Sequence, residues 1–353
     1  MIQTNSYAAH KAGEALRPWP LERRELRAND VEIDIVFCGV CHSDIHTVRG
    51  EWGDQNWPFV PGHEIVGRVV GLGDDASLHK IGDLVGVGCM VDSCRHCPPC
   101  QVRMEQFCEN GFSGTYSGIE TGTGRPTYGG YSGKIVVHED FVLRIPEGLD
   151  PAGAAPLLCA GITTYSPLRR WNVQPGQRVG VVGLGGLGHV ALKLAKAMGA
   201  HVTLFTTSPG KVADGKALGA DEVVVTREPG ALEAHAYTLD FVLDTVSAPH
   251  DLDPYLELLK IDGTLTLVGM PAEPHPPHDP GSLILKRRSL AGSITGGLAE
   301  TQEMLDFCAE HGIAADYEMI AMGEINEAYE RLLAGDVKYR FVIDMATLGA
   351  AEG

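Results

Sequence analysis

The feature that most constrains the fold is a glycine-rich loop between a strand-like run and a helix-like run. Residues 183–188 fit the pattern G-x-G-x-x-G, follow the apolar run 179–182 and precede a helical segment over 189–198. In this setting the glycines permit a tight turn and a close backbone approach to a pyrophosphate, whose charge faces the helix N-terminus. The sequence predicts a dinucleotide-binding loop, and a generic glycine-rich turn is the alternative. The loop residues are Gly183, Leu184, Gly185, Gly186, Leu187 and Gly188.

The region around this loop alternates strand-like and helix-length segments. Its apolar runs lie at 178–182, 201–205, 222–225, 241–243 and 264–268. Such alternation is typical of a doubly wound parallel sheet. The proline-rich stretch 271–280 is expected to be a loop after the fifth run, because proline fits neither a regular helix nor a central strand. Helical patterns at 300–311 and 325–333 and a strand-like run at 339–343 follow.

The residues before about 155 have a different texture, with short β-like runs divided by glycine and proline. Examples are the runs 31–36, 65–70 and 134–137. This part of the chain is predicted to form an all-β or barrel-like unit. The chain as a whole is therefore expected to be a mixed α/β protein of two domains.

The second strand-like run indicates which dinucleotide is preferred. NAD sites usually carry Asp or Glu about 20 residues after the loop, to bind the ribose hydroxyls, and none occurs here. Hydroxyls and an ammonium group, which can bind a 2'-phosphate, are present instead. The sequence predicts NADP, and a plain surface turn is the alternative reading of these residues. They are Thr206, Thr207, Ser208 and Lys211.

Four cysteines, Cys94, Cys97, Cys100 and Cys108, follow the spacing C-x2-C-x2-C-x7-C. Four thiolates from one short loop can surround a zinc ion and leave no open position. An iron-sulfur cluster is less consistent, because the bacterial ferredoxin pattern closes with C-x3-C-P. The spacing predicts a structural zinc site that orders the loop and takes no part in chemistry.

A second set of possible ligands is dispersed: Cys41 in CGVCHSD, His63 in PGHE and Cys159 in PLLCAG. Singly, a buried cysteine is usually a small hydrophobic residue, and a histidine after Pro-Gly is usually a turn residue. Together, two cysteines and one histidine with an open position are the ligands of a Lewis-acidic zinc. Beside a nucleotide loop, this set points to a catalytic zinc.

The chain resembles the zinc-dependent medium-chain alcohol dehydrogenases, in particular the cinnamyl alcohol dehydrogenase branch and its bacterial aldehyde reductases. The resemblance rests on CGVCHSDIH, PGHEIVGRVV, the four-cysteine segment, PLLCAG, GLGGLGH, ETQEMLDFCAEHGI and DVKYRFVIDM. It implies a GroES-like β-barrel-type catalytic domain over 1–155 and 297–353, with a structural zinc lobe at about 89–112. It also implies a Rossmann doubly wound NADP-binding domain over 156–296.

Site residues follow from the same resemblance. Catalytic zinc would be held by Cys41, His63 and Cys159, with Glu64 as an alternative or transient ligand. Ser43 would contact the substrate oxygen and His46 would pass its proton to solvent, while Asp44 would orient His63. Capping of a short helix after Cys41 is the plainer reading of Ser43 and Asp44. Further cofactor-lining positions would be His42, Thr163, Thr245, Gly269 and Ser293.

The implied activity is hydride transfer between NADPH and a broad range of aldehydes, with oxidation of primary alcohols as the reverse reaction. A polyol or sugar dehydrogenase is the alternative, and Cys159 argues against it because that branch typically has a carboxylate as third ligand. A non-catalytic binding protein would be expected to have lost a ligand. An apolar pocket for aromatic or medium-chain aldehydes could be lined by Trp52, Trp57 and Phe59. The alternative is that these side chains serve only packing. The stretch after Cys108 lacks the Trp of plant cinnamyl enzymes, which favours a broad aldehyde reductase.

Composition bears on partners and location. The chain has 28 Lys and Arg against 46 Asp and Glu, a formal net charge of −18, which disfavours nucleic acid and anionic lipid as partners. No signal-peptide-like or bilayer-length apolar run is present, so a cytoplasmic protein with unpaired thiols is expected. The resemblance implies a homodimer paired through residues 290–295, although a buried internal strand is the alternative for that segment.

Overall fold

The computed structural model describes residues 1–53 and 55–349. The chain forms two compact units. The first unit comprises Met1–Cys159 and Gly296–Gly353, and the second comprises Ala160–Thr295. The predicted divisions, at 155/156 and 296/297, differ from these by a few residues.

In the described ranges the elements are as follows. The strands are β1 (Ile2–Ala8), β2 (Arg17–Arg23), β3 (Asp30–Val40), β4 (Ile65–Leu72), β5 (Leu84–Val87), β6 (Met90–Asp92), β7 (Ser113–Gly114), β8 (Lys134–His138), β9 (Leu143–Arg144), β10 (Arg178–Val182), β11 (His201–Thr206), β12 (Glu222–Val225), β13 (Leu239–Asp244), β14 (Leu259–Leu267), β15 (Ser289–Gly292), β16 (Tyr317–Ala321) and β17 (Arg340–Asp344). The helices are α1 (His42–Val48), α2 (Pro98–Gln101), α3 (Pro151–Ala154), α4 (Ala160–Arg170), α5 (Gly188–Ala197), α6 (Val212–Ala217), α7 (Asp253–Leu256), α8 (Pro280–Ile284), α9 (Leu298–His311) and α10 (Ile325–Ala334).

The second unit is built on a parallel sheet of order β12-β11-β10-β13-β14-β15. Its strands are nearly continuous apolar runs, as expected for a parallel sheet covered on both faces. The strand order reverses between β10 and β13, and ligands of such sheets bind beyond the carboxyl ends of strands at this switch point. The glycine-rich loop follows β10 and Thr245 follows β13, so both lie at this edge. The predicted doubly wound sheet is confirmed.

Strand β14 begins earlier than predicted. The sequence reads as a strand only from 264, because Asp262-Gly263 looks like a turn. In the structure Leu259 pairs with Leu239. Asp262 then adopts a left-handed φ of 65°, which lets the strand continue past it. The register between Leu239 and Phe241 shifts to accommodate the extra residues.

The first unit contains a seven-stranded sheet of order β16-β17-β3-β4-β5-β9, with β8 also paired to β3. The long strand β3 pairs antiparallel with β4, β8 and β17. Because β17 comes from the end of the chain, its pairing joins the C-terminal segment to the N-terminal one. The predicted barrel-type β unit is confirmed, whereas β16 has no strand-like pattern that sequence reasoning detected.

The two helical patterns predicted after the parallel sheet are α9 and α10. Each ends at a glycine in the left-handed region, Gly312 with φ 64° and Gly335 with φ 70°, the usual C-terminal stop. Within the described residues, no helix has both the length and the apolar character needed to cross a membrane.

Candidate active site

The four cysteines of the lobe converge as predicted. The Sγ atoms of Cys94 and Cys100 are 3.9 Å apart, as are those of Cys97 and Cys108. Tetrahedral zinc with Zn–S bonds of about 2.3 Å places its sulfurs about 3.8 Å apart. The four ligand atoms form one group with the right chemistry and spacing for zinc.

Backbone amides stabilise this sulfur group. The amide of Cys97 donates to Sγ of Cys94 at 3.3 Å, that of Cys94 to Sγ of Cys108 at 3.4 Å, and that of Glu109 to Sγ of Cys97 at 3.4 Å. Hydrogen bonds of this kind favour thiolates over thiols. The backbone of the lobe therefore donates hydrogen bonds to three of the four sulfurs, those of Cys94, Cys97 and Cys108.

The dispersed ligands also come together, although they are remote in sequence. Cys41 directly follows β3 and is the N-cap residue of α1. His63 lies just before β4, and Cys159 directly precedes α4. One ligand atom from each, together with a Glu64 oxygen, lies within 4.8 Å of the others. The Sγ atoms of Cys41 and Cys159 are 3.9 Å apart, again matching the separation of about 3.8 Å around tetrahedral zinc. The donor set fits zinc.

The two cysteine side chains share a hydrogen bond. A hydrogen bond from Cys159 stabilises the thiolate of Cys41 and lowers its pKa well below the usual range, against the opposing effect of burial. A thiolate, and not a thiol, is the form that binds metal. Cys41 therefore favours the thiolate, whereas the same hydrogen bond raises the pKa of Cys159 well above its usual range.

Asp44 lies behind the ligands and is completely buried. Its Oδ2 accepts the amide of Cys41 at 2.8 Å, and its Oδ1 accepts the amide of Gly62 at 3.0 Å. Oδ1 also lies 3.3 Å from Nδ1 of His63, which leaves the other ring nitrogen available to a metal. One carboxylate therefore orders the backbone on both sides of the site and orients the imidazole.

Glu64 is paired with a residue that sequence reasoning missed. The buried guanidinium of Arg340, on β17, donates to Oε1 of Glu64, while Oε2 has no hydrogen-bond partner. Burial raises the pKa of Glu64 to about 8, although Arg340 acts in the opposite direction. Arg340 lies within the motif DVKYRFVIDM, but only the fold brings it next to the candidate zinc ligands.

The two predicted relay residues lie on α1. The Oγ of Ser43 is 3.6 Å from Sγ of Cys41, beside the candidate zinc ligands. One turn later, Nδ1 of His46 pairs with the carboxylate of Glu51, and its ring stacks on Trp52 at 4.8 Å between centroids. Helix α1 therefore holds the Ser43 hydroxyl near the candidate zinc ligands. It holds the His46 ring next to Glu51 and Trp52, which are partly exposed.

Aromatic rings continue from the site. Trp57 packs against Phe59 at 6.0 Å, Phe59 against Tyr116 at 5.2 Å, and Tyr116 against His63 at 5.2 Å. Tyr116 was not identified from the sequence, because its segment is glycine- and serine-rich and shows no periodic pattern. Phe59 is only 2% exposed, so its packing role is established whatever else it does.

The glycine-rich loop in the second unit has the tight turn that its sequence predicts. Gly183 has a φ of 91°, and a Cβ at Gly188 would lie 2.1 Å from the carbonyl oxygen of Gly183. Only glycine fits either position. Thr245 supports the loop by donating from Oγ1 to the carbonyl of Val182 at 2.8 Å.

The predicted phosphate-binding residues lie at the end of β11. Nζ of Lys211 donates to the carbonyl of Leu184 at 2.7 Å, which places the ammonium beside the glycine-rich loop. Thr206 is buried and its Oγ1 accepts the amide of Ser208 at 3.3 Å, whereas Thr207 is exposed. No carboxylate occurs between the end of β11 and Lys211.

The remaining predicted positions are distributed over both units. His42 opens α1 in the first unit, where burial lowers its pKa. The second unit carries Thr163 on α4, Gly269 after β14, and Ser293, whose Oγ donates to the carbonyl of Ile294 at 3.2 Å. A Cβ at Gly269 would lie 2.4 Å from the carbonyl oxygen of Val246, so that position requires glycine.

Comparisons with known proteins show the family of the chain. Residues 27–147 match the alcohol dehydrogenase GroES-like domain, and residues 186–310 match the zinc-binding dehydrogenase family. The chain is 58% identical to aldehyde reductase YahK of Escherichia coli, over 98% of this chain and 99% of the relative. It is 55% identical to NADP-dependent alcohol dehydrogenase C 1 of Mycolicibacterium smegmatis, over 99% of each.

A solved structure is similar over the whole length. It is the cinnamyl alcohol dehydrogenase SbCAD4 from Sorghum bicolor, with a TM-score of 0.96 and 44% identity over 100% of both chains. Two family models, close relatives over almost the full length and two zinc-compatible ligand groups lead to one conclusion. The chain belongs to the zinc-dependent medium-chain alcohol dehydrogenases, in the branch of the cinnamyl alcohol dehydrogenases.

Proposed function

We propose that the chain reduces a broad range of aldehydes, including aromatic and medium-chain ones, to primary alcohols with NADPH, and catalyses the reverse oxidation. It is an aldehyde/alcohol oxidoreductase of a zinc- and NADP-dependent family. The observation that carries the proposal is the group of Cys41, His63 and Cys159, with two sulfurs 3.9 Å apart. A polyol dehydrogenase and a non-catalytic protein are not favoured, since these ligands are intact.

Cys41, His63 and Cys159 would hold the catalytic zinc, and Cys94, Cys97, Cys100 and Cys108 the structural zinc. When bound, the catalytic ion supplies a Lewis acid that polarises a carbonyl group. Asp44 keeps the His63 ring oriented and its ligand nitrogen basic. Glu64 would be a reserve ligand, and because it is paired with Arg340, its approach to the metal would require that pair to separate.

Ser43 and His46 would manage the proton. The hydroxyl of Ser43 donates a proton to the developing alcohol, and His46 restores it from solvent with the help of Glu51. A hydroxyl and an imidazole on one face of a short helix can act in sequence because residues three apart are neighbours.

When bound, NADPH would supply the hydride. The glycine-rich loop Gly183–Gly188 would bind its pyrophosphate, and Lys211 with Thr206, Thr207 and Ser208 its 2'-phosphate. The ammonium of Lys211 already lies beside the loop, at its hydrogen bond to Leu184. Thr163, Thr245, Gly269, Ser293 and His42 would line the rest of the cofactor.

The domain roles, assembly and location belong to the same proposal. The first unit would be the catalytic domain and the second the cofactor domain. Strand β15 would pair with its copy in a homodimer, an assignment favoured by its place at the edge of the parallel sheet. The small-molecule substrate and the negative charge suit a cytoplasmic enzyme.

The test is a nicotinamide absorbance assay with the zinc-loaded protein. NADPH and NADH are offered separately with benzaldehyde, cinnamaldehyde and a medium-chain aliphatic aldehyde. Rapid turnover with NADPH, slow turnover with NADH and inhibition by a zinc chelator are expected. Preference for NADH would contradict the 2'-phosphate assignment, and no turnover in protein holding two zinc ions per chain would contradict the activity itself.

A further inference from the structure

The segment 245–250, which follows β13, packs against two parts of the proposed cofactor site: the glycine-rich loop and the residues after β14. A Cβ on Gly183 would lie 3.0 Å from Cγ2 of Val246 and 3.1 Å from Oγ1 of Thr245. On the other side, a Cβ on Gly269 would lie 2.4 Å from the carbonyl oxygen of Val246. A shift of this segment would therefore change the shape of the glycine-rich loop and of the surface after β14.

A histidine closes this segment with two hydrogen bonds. Nε2 of His250 lies 2.8 Å from Oδ2 of Asp244, and Nδ1 lies 2.9 Å from the carbonyl oxygen of Ala248. A carboxylate and a carbonyl both accept, so each ring nitrogen has to donate. A neutral imidazole carries only one N–H, whereas the imidazolium carries two. The other oxygen of Asp244 accepts the amide of Val246 at 3.0 Å, which ties the two ends of the segment to one carboxylate.

The groups around His250 favour its charged form. The hydrogen bond with Asp244 raises the pKa of His250, partial burial opposes it, and the Ala248 carbonyl and Asp251 act in the same direction as Asp244. Tyr255 on α7 faces the ring edge-on at 5.7 Å, and His275, from the proline-rich loop, does so at 4.9 Å. The side chain is 21% exposed, so protons can exchange with solvent.

We infer that His250 is a positioning residue for the cofactor: its two hydrogen bonds hold segment 245–250 against the glycine-rich loop, and loss of its ring proton weakens NADPH binding. The inference rests on the proposed cofactor role of that loop. The charged ring prevails below the raised pKa of His250, so the segment is held at low pH. As pH rises through that pKa, one hydrogen bond is lost and cofactor affinity falls.

The test measures the Kd for NADPH by the fluorescence of the bound nicotinamide, from about pH 6 to about pH 10. Three zinc-loaded proteins are compared: wild type, His250→Gln and, as a matched control, His278→Gln, an exposed histidine of the proline-rich loop. In wild type and the control, Kd is expected to rise about fivefold to tenfold through the titration of His250, as one charge-assisted hydrogen bond is lost. In His250→Gln, Kd should already be high at low pH and show no step. NADH, which has no 2'-phosphate, should show the same step. This result would distinguish titration of His250 from titration of the 2'-phosphate of NADPH.

Persistence of the step in His250→Gln would overturn the inference. A second measurement does not depend on that variant: nitrogen-15 NMR of the histidine rings in the wild-type protein should show His250 protonated on both nitrogens below the pH of the Kd step and on one nitrogen above it. A His250 ring that stays neutral on both sides of the step would also overturn the inference. If wild type binds NADPH without any pH step, only this inference fails; if wild type binds no NADPH at any pH, the proposed function fails as well.

Discussion

At the scale of single residues, Asp44 contacts several parts of the candidate site at once. Each of its two oxygens accepts one backbone amide, and Oδ1 also lies 3.3 Å from Nδ1 of the His63 ring. We expect Asp44→Asn to weaken zinc binding by about 10- to 100-fold, because the amide presents an N–H where one of these donors now points. Release of zinc to a chromogenic chelator measures this. Asp74→Asn, on an exposed turn, is the control, and equal release rates in the two variants would contradict the assignment.

Ser43 is predicted to act on the proton and not on the metal. Ser43→Ala should lower kcat by about 100-fold, since general acid catalysis typically contributes factors of this order. Zinc content, measured by metal analysis, should stay at that of the wild type. Ser43→Thr keeps the hydroxyl and should recover much of the rate; a threonine variant as slow as the alanine variant would speak against the relay.

Lys211 is predicted to discriminate between the two cofactors. Lys211→Met removes the ammonium that lies by the glycine-rich loop. The KM for NADPH should rise about tenfold, as expected for loss of one charge-assisted hydrogen bond to phosphate, while the KM for NADH changes much less. Steady-state kinetics with both cofactors gives the ratio. Lys216→Met on α6 serves as control, and a parallel loss for both cofactors would show that Lys211 only supports the loop.

At the scale of elements, Glu139 joins two connections of the first unit. Its Oε2 accepts the amides of Ser77 and Leu78 at 2.7 Å each, and its Oε1 lies 3.3 Å from the side-chain nitrogen of Asn29. Burial of Glu139 opposes its ionisation, but these hydrogen bonds outweigh it and lower the pKa of the carboxyl group. The charged carboxylate therefore stabilises the folded state.

The pH dependence of this stabilisation follows from the sign of the shift. A lowered folded-state pKa contributes stability that is complete above the unfolded-state value and is lost as pH falls through the folded-state value. Glu139→Gln should therefore lower the free energy of unfolding by about 1–3 kcal/mol at neutral pH, with the difference shrinking in acid. Denaturant unfolding at several pH values measures it. Glu147→Gln, exposed, is the control, and a difference independent of pH would refute the account.

At the scale of the whole molecule, the proposed dimer would pair through β15, at the edge of the parallel sheet. The amide of Ser293 donates inward to Leu267 at 3.0 Å, so the amide of Gly292 faces away from β14. Gly292→Pro removes that outward donor without disturbing the sheet and should convert the proposed dimer into a monomer. Size-exclusion chromatography with light scattering measures the mass. Gly292→Ala, whose Cβ would meet nothing within 4 Å, should remain dimeric; a dimeric proline variant would rule out pairing through β15.

Much of the fold was predictable because its signals are local. The glycine-rich loop lies between β10 and α5 as its flanking patterns predict, and the four cysteines of the lobe are close in sequence. Spacing along a short stretch of chain restricts where side chains can point, so these patterns suffice without knowledge of the rest. Strand β14 was less well predicted, since Asp262-Gly263 resembles a turn until its pairing with neighbouring strands is known.

The sequence by itself determined the two-domain α/β plan, the zinc-type ligand residues and the absence of a carboxylate at the end of β11. Only the tertiary structure decided how distant residues meet: Cys41 contacts Cys159 across 118 positions, and Arg340 pairs with Glu64 across 276. It also decided that Tyr116 contacts His63 and that His250 closes the segment after β13. The physical reason is that such contacts depend on the packing and pairing of whole strands, such as β17 on β3, which no local pattern of residues specifies.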